Sequence, residues 1–232
     1  MKNLKQIPDI NFRNNLKKLF PAAFENELLD VNNEEVINYK GLKVIGLNIK
    51  DLRGIEWFVN LEYLACSNNS LTTLPNLPKT LKELWCYGNS LTSLPNLPDT
   101  LEYLACSNNQ LTTLPTLPKT LVKLDCSVNQ LTTLPTLPST LKKLYCDNNN
   151  LISLPTLPDT LKKLYCNNNQ LTSLSKLPDT LIYLYSQDNN MLPPARLPKS
   201  LKYFEHYISY KNNQEEGERL RYYIFHKNCF LN

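Results

Sequence analysis

Between residues 61 and 200 the apolar positions recur with a fixed period of twenty residues. The first full period, 61–80, reads LEYLACSNNSLTTLPNLPKT, and its successors begin at Leu81, Leu101, Leu121, Leu141, Leu161 and Leu181. An imperfect copy, LKVIGLNIKDLRGI, precedes them at 42–55, and LKYFEHYIS follows at 201–209. Such self-similarity marks a stacked array, in which each unit buries its apolar face only against its neighbours. Alternation around Leu64 and Cys66 predicts a short strand, with Tyr63, Ala65 and Ser67 on the opposite face. Successive periods then pair as parallel strands about 4.8 Å apart.

The rest of each period follows from this. Asn69, Asn89, Asn109, Asn129, Asn149, Asn169 and Asn189 stand where the chain leaves the strand. A buried amide there must find partners, and donation to main-chain carbonyls of adjacent turns would satisfy it. Beyond the bend comes L-T-x-L-P-x-L-P, whose two prolines, Pro75 and Pro78 in the first period, exclude a helix. The back of each turn is therefore expected to be extended, polyproline-like chain. Leu61, Leu64, Cys66, Leu71, Leu74 and Leu77, with their equivalents, form a continuous core. Burial of each leucine contributes roughly 1.5–3 kcal/mol before entropy is counted.

The ends of a stack expose that core and need covering. Three regions are expected: an N-terminal helical cap at 1–41, repeats at 42–210 and a C-terminal helical cap at 211–232. In the first, Asp9 caps a helix that places Phe12, Leu16, Leu19 and Phe20 on one stripe, and Pro21 ends it. In the last, Asn213-Gln214-Glu215-Glu216 reads as a capping box. The helix it opens, 214–228, would lay Leu220, Tyr223, Ile224 and Phe225 over the final strand.

The unit L-x-x-L-x-C-x-x-N-x-L-T-x-L-P resembles the leucine-rich repeat in its short, twenty-residue bacterial form, including that of type-III-secreted effectors. Its cysteine variant, together with the opening IPDINF and the segment GLNIKDLRGIEWFVNLEYLACSNN, also resembles repeat proteins of mimivirus-type giant viruses and of Bacteroidetes. The resemblance covers roughly residues 7–210. It implies a right-handed α/β-type horseshoe solenoid, rich in β structure, with a parallel sheet on the concave face. It also implies a non-enzymatic protein-binding role, possible in host–pathogen interaction, without identifying the partner.

Composition adds limits. Lys+Arg 25 against Asp+Glu 21 dictates no strongly basic or acidic partner overall. The start of the chain carries no apolar stretch of signal-peptide length, and no apolar run approaches a membrane span. An intracellular, cytoplasmic location is therefore expected, in a host cell's cytoplasm if the chain is delivered there. Six of seven cysteines, Cys66, Cys86, Cys106, Cys126, Cys146 and Cys166, lie twenty residues apart in identical context. That is a structural ladder facing a leucine core rather than a disulfide framework or a metal site.

Catalytic chemistry finds little footing. Histidine is absent from 1–205, so no nucleophile–base pair can be assembled in the repeats. His226 to Cys229, HKNC, is the one compact ligand-like group, and a capping segment explains it equally well. Asp99, Asp159 and Asp179 precede strands and read as turn chemistry. None of the five glycines forms a nucleotide-binding motif. No enzyme activity, cofactor or metal is expected.

The outward positions of the strands vary from period to period while the inward ones do not. Trp85, Tyr87, Lys143, Tyr145, Lys163, Tyr165, Tyr185 and Tyr203 are the candidate partner-binding residues, because aromatic side chains give large contact area at low entropic cost. Lys143, Tyr145, Lys163, Tyr165 and Tyr185 form the expected centre. Glutamates Glu62, Glu83 and Glu102 gather early on this face, and Lys123, Lys142, Lys143, Lys162 and Lys163 gather late. A protein partner is the first reading. Nucleic-acid binding by the lysine and tyrosine patch is the second, and self-association of the acidic and basic halves is the third.

Overall fold

The computed structural model describes residues 1–206 apart from Ser175 and Pro193, together with the backbone of the strand Tyr223–His226. The N-terminal region is built from β1 (Leu4–Gln6), α1 (Ile10–Leu19), β2 (Phe24–Glu25), β3 (Leu28–Asp30) and α2 (Glu34–Ile37). Then come the short strands β4 (Gly41–Lys43), β5 (Tyr63–Ala65), β6 (Glu83–Trp85), β7 (Tyr103–Ala105) and β8 (Lys123–Asp125). They continue as β9 (Lys143–Tyr145), β10 (Lys163–Tyr165), β11 (Tyr183–Tyr185), β12 (Tyr203–His206) and β13 (Tyr223–His226). From β4 to β12 the strands lie side by side in chain order within one 10-stranded sheet, which β13 closes at the far edge. From β5 to β12 each parallel pair is in register at a twenty-residue offset, as in Leu164 opposite Leu144 and Leu184, whereas β4 sets Leu42 opposite Leu64.

The inward columns are dry. Leu61, Leu64, Cys66 and Leu71 are fully buried, and so are their equivalents through Leu161, Leu164, Cys166 and Leu171. The first, imperfect repeat carries a short 3-10 helix, Ile55–Trp57, on its back, whereas from Leu71 onward the described residues between bend and next strand form neither helix nor strand, as the paired prolines require.

Two side-chain ladders hold the turns. In the first, Asn149 Nδ2 donates to the Cys126 carbonyl at 3.0 Å and the Cys146 carbonyl at 3.1 Å, while its Oδ1 accepts the Leu131 N–H at 3.0 Å. The same set recurs at Asn89, Asn109, Asn129, Asn169 and Asn189. Each amide therefore ties its own bend to the previous turn in both directions. The expected donation occurs, and acceptance from the leucine N–H adds to it. The second ladder lies on the other side of the strand. Thr100 Oγ1 donates to the carbonyls of Lys79 and Leu81, both at 2.8 Å, and Thr80, Thr120, Thr140, Thr160 and Thr180 repeat the pattern. The expectation for that turn named only its aspartates. It is threonine that bridges the turns.

The ends depart from expectation. Asp9 does cap α1, its Oδ1 accepting the N–H groups of Asn11 and Phe12 at 2.9 Å. Phe12, Leu16 and Phe20 are buried, but Leu19 is 41% exposed, because a helix of ten residues has room for only one narrow apolar stripe. The region also contains a three-stranded antiparallel sheet, ordered β1–β3–β2. It turns at Asn26 and Glu27, whose φ values of 44° and 68° are those of a tight hairpin. At the other end, Tyr223–His226 is not helical. It runs antiparallel to β12, pairing Tyr203 with His226 and His206 with Tyr223. An open last strand offers unpaired N–H and C=O groups, and a Tyr-Ile-Phe run has strand rather than helix preference. The Asn213–Glu216 box and Leu220 lie outside the described residues.

The bend demands a left-handed residue just before each ladder asparagine. Asn68, Gly88, Asn108, Asn148, Asn168 and Asp188 occupy it, all with φ between 49° and 66°. The exception is Val128 at φ 52°, a β-branched residue where such a conformation is costly. Val128→Asn is expected to stabilise the protein by about 1 kcal/mol, raising the melting temperature by about 2–4 °C. An unchanged or lower melting temperature in a thermal scan would show that the valine is not strained.

Candidate interaction face

Three outward columns run across the sheet. The first holds Tyr63, Glu83, Tyr103, Lys123, Lys143, Lys163, Tyr183 and Tyr203 in register. The second holds Ala65, Trp85, Ala105, Asp125, Tyr145, Tyr165, Tyr185 and Glu205. The third follows one step along the chain, from Ser67 and Tyr87 to Asp147, Asn167 and Gln187. Small residues placed outward by alternation are nonetheless buried: Ala65, Ala105 and Ser67 expose 4% or less. Larger rings on neighbouring strands cover them. Trp85 stacks on Tyr103 at 5.3 Å and tilts against Tyr63 at 6.1 Å.

The expected centre is brought together as one patch. Tyr145, Tyr165 and Tyr185 form a ladder with ring centroids 4.9 and 4.4 Å apart on β9, β10 and β11. Lys143 and Lys163 stand in the adjacent column of the same strands. Trp85 and Tyr87 do not join this group. Their strand, β6, is three strands from β9, about 14 Å at the usual strand spacing. Tyr203 belongs to another pair, stacked on Tyr183 with an interplanar angle of 3° and centroids 4.7 Å apart. The expected patch omits Tyr183 and Lys123, which the structure links to it. Lys163 Nζ lies 4.4 Å from the Tyr183 ring centre, and Lys123 Nζ lies 4.3 Å from that of Tyr103 while also bonding its hydroxyl. Their shared column was the available signal.

The acids of the face are internally engaged. Asp125 accepts from Ser127 Oγ at 2.6 Å, Asp147 accepts the Asn167 N–H at 3.0 Å, and Glu205 receives Gln187 Nε2. Glu62 sits between Lys40 and Lys82 at 3.1 and 2.7 Å, and hydrogen bonds from these two lysines, Lys82 first, hold its carboxyl below the usual value. Burial pushes Asp147 up from 3.8 to about 6, against the hydrogen bond from Asn167.

The cysteine column is chemically quiet. All six thiols are buried, and desolvation raises Cys66 to about 12 and the others well above the ordinary thiol value. Sγ of Cys126, Cys146 and Cys166 lies 3.3–3.5 Å from the carbonyl of the next strand's tyrosine. The column continues into Ser186 and then His206, which is 2% exposed. His206 Nδ1 lies 3.1 Å from both the Ser186 hydroxyl and its carbonyl, and desolvation lowers the imidazole's pKa. His206 is thus a core residue ending the column. Among the described residues no group of three or more His, Cys, Asp or Glu side chains could hold a metal ion. The Lys227–Cys229 part of the HKNC group lies outside them.

A family model for Leucine Rich repeats (2 copies) matches residues 79–119. Among solved structures, YopM from Yersinia enterocolitica is 36% identical with a TM-score of 0.70, the match covering 72% of this chain and 37% of that one. The leucine-rich-repeat domain of a Shigella effector is 33% identical at a TM-score of 0.62, over 67% of this chain and 71% of that one. The functional domain of InlJ from Listeria monocytogenes, which includes a cysteine ladder, matches 90% of this chain and 55% of its own at 24% identity and a TM-score of 0.62. This last likeness concerns the fold. The chain therefore spans less than two thirds of the length of YopM and of InlJ.

Two measurements check the chemistry of this face and its core. A raised native value means that the folded state binds more protons than the unfolded one between about pH 3.8 and about 6. Stability from Asp147 is therefore lost as pH rises through that window. Asp147→Asn, which keeps the acceptor for Asn167, is expected to gain about 1–2 kcal/mol at pH 7 after solvent screening. The gain should vanish below about pH 4 in urea titrations; a pH-independent difference would contradict it. In a Cys229→Ala background, the six column thiols should resist an aromatic disulfide reagent until the protein is unfolded. Rapid labelling of the native protein would show that the column is open.

Proposed function

The chain belongs to the leucine-rich-repeat family, and from that footing we propose that it binds another protein through the outward face of its sheet, with Lys143, Tyr145, Lys163, Tyr165 and Tyr185 at the centre. Leucine-rich-repeat proteins are generally interaction modules without catalytic activity. The observation that carries the reading is the contiguous Tyr145–Tyr165–Tyr185 ladder beside in-register lysines, on a sheet whose inward columns scarcely vary. Aromatic and cationic side chains held on a rigid sheet lose little freedom on binding, which is what concentrates affinity in a few residues.

Trp85 on β6, Tyr87 just beyond it and Tyr203 on β12 flank that centre and would form the outer contacts of a partner spanning the sheet. Likeness to YopM and to a Shigella effector supports a role between a pathogen and its host, with the partner met in the host cytoplasm. No helix among the described residues is long and apolar enough to cross a membrane. Residues 1–41 serve as the N-terminal cap of the array, through α1 and the small sheet.

The test is affinity capture from a host-cell lysate. It compares the wild type with a variant carrying Ala at all five central positions, and with a control changed at Thr112 and Thr132 on the back. A protein retained by the wild type and the control, and lost by at least tenfold from the five-residue variant, is the expected result. Equal retention by all three, with melting curves showing each folded, would overturn the assignment of this face.

A further inference from the structure

Positive charge is crowded on the later half of the sheet face. Lys123, Lys143 and Lys163 stand opposite one another on three consecutive strands, and Lys142 and Lys162 precede two of them. Strands about 4.8 Å apart bring like charges close enough to destabilise the sheet. Lys123 and Lys163 lean on the rings of Tyr103 and Tyr183. Lys142, Lys143 and Lys162 take part in none of the ion pairs formed among the described residues. The neighbouring acids Asp125, Asp147 and Glu205 accept hydrogen bonds from within the face and form none of the ion pairs among the described residues. Glu62, in the early half, is already taken by Lys40 and Lys82.

The tyrosine ladder adds to the same field. Tyr165 has Tyr145 against one face and Tyr185 against the other, and Tyr145 has Lys123 Nζ 5.4 Å from its ring centre. With faces spent on one another, the rings present their edges and hydroxyls. Aromatic edges carry partial positive charge, and the Tyr165 hydroxyl is taken up by a hydrogen bond with that of Tyr185. A single-stranded nucleic acid binds such surfaces by stacking bases on ring faces, and Tyr165 has none to offer. What the face offers is its lysine ammoniums and the positive edges of its rings.

We propose that the surface of β8–β11 receives an acidic segment of the partner polypeptide, its carboxylates on the lysine row and its chain along the edges of the tyrosine ladder. This rests on the reading that the sheet face is the binding surface. The uncompensated lysines are then a cost in the free protein that the bound carboxylates relieve.

A random dodecapeptide display library, selected on the full chain, tests this. Selected peptides should be enriched in Asp and Glu over the starting library. They should bind the Lys142/Lys143/Lys162/Lys163→Gln variant about tenfold or more weakly, and lose affinity with added salt. Lys143→Glu alone should raise the melting temperature of the unbound protein while weakening the same peptides. Peptides that need Tyr145, Tyr165 and Tyr185 but show no acidic excess would overturn the acidic inference and leave the face as the binding surface. Binding unchanged in the variant with Ala at all five central positions would overturn both. Tighter binding of a twelve-nucleotide oligothymidylate than of any selected peptide would replace the acidic segment with nucleic acid.

Discussion

From Leu71 onward the described turns of this solenoid reverse direction without a helix, so each bend leaves main-chain N–H and C=O groups facing inward with no regular partner. Leaving such groups unpaired costs about 1–3 kcal/mol each, and the stack repeats the problem at every period. The asparagine column resolves it, because one amide both donates and accepts across two successive turns. Asn129, Asn149, Asn169 and Asn189 do this at 9% exposure or less. A carboxylate could not donate and a leucine could do neither. The threonine at the end of each period performs the complementary task on the other side of the strand, bridging two carbonyls.

From that constraint follows the division between the two faces of the sheet. Inward positions are held by the core and by the ladders, so they accept Leu, Cys and little else. Outward positions carry no such duty and are free to hold residues that the fold does not favour. Three lysines in cross-strand register and a half-buried Asp147 are choices that a sheet optimised for stability would avoid. A regular scaffold tolerates them because its stability is spread over many equivalent turns.

The same logic explains the ends. The inward cysteine column finishes in Ser186 and His206, where polar side chains bond to each other instead of meeting another leucine layer. Antiparallel β13 then satisfies the last strand's edge. At the start, Asp9 links cap to array. Its Oδ1 caps α1 while its Oδ2 accepts the Lys50 N–H at 2.8 Å, and Asn11 donates to the Asn48 carbonyl.

Period, strand position, inward columns, the asparagine ladder and the non-helical back were all legible in the chain, because each is a local rule repeated until chance is excluded. The tyrosine and lysine columns could be written down for the same reason. What the tertiary structure alone decided was how side chains in one column meet. It turned the rings of Tyr145, Tyr165 and Tyr185 onto each other, sank Ala65, Ala105 and Ser67 beneath their neighbours, and separated Trp85 from the later patch. It engaged the acids from within and left Lys142, Lys143 and Lys162 without ion pairs. The caps were the least legible part, since nothing there repeats. Whether Tyr223–His226 becomes helix or strand depends on the open edge it meets, and that edge exists only once the stack has formed.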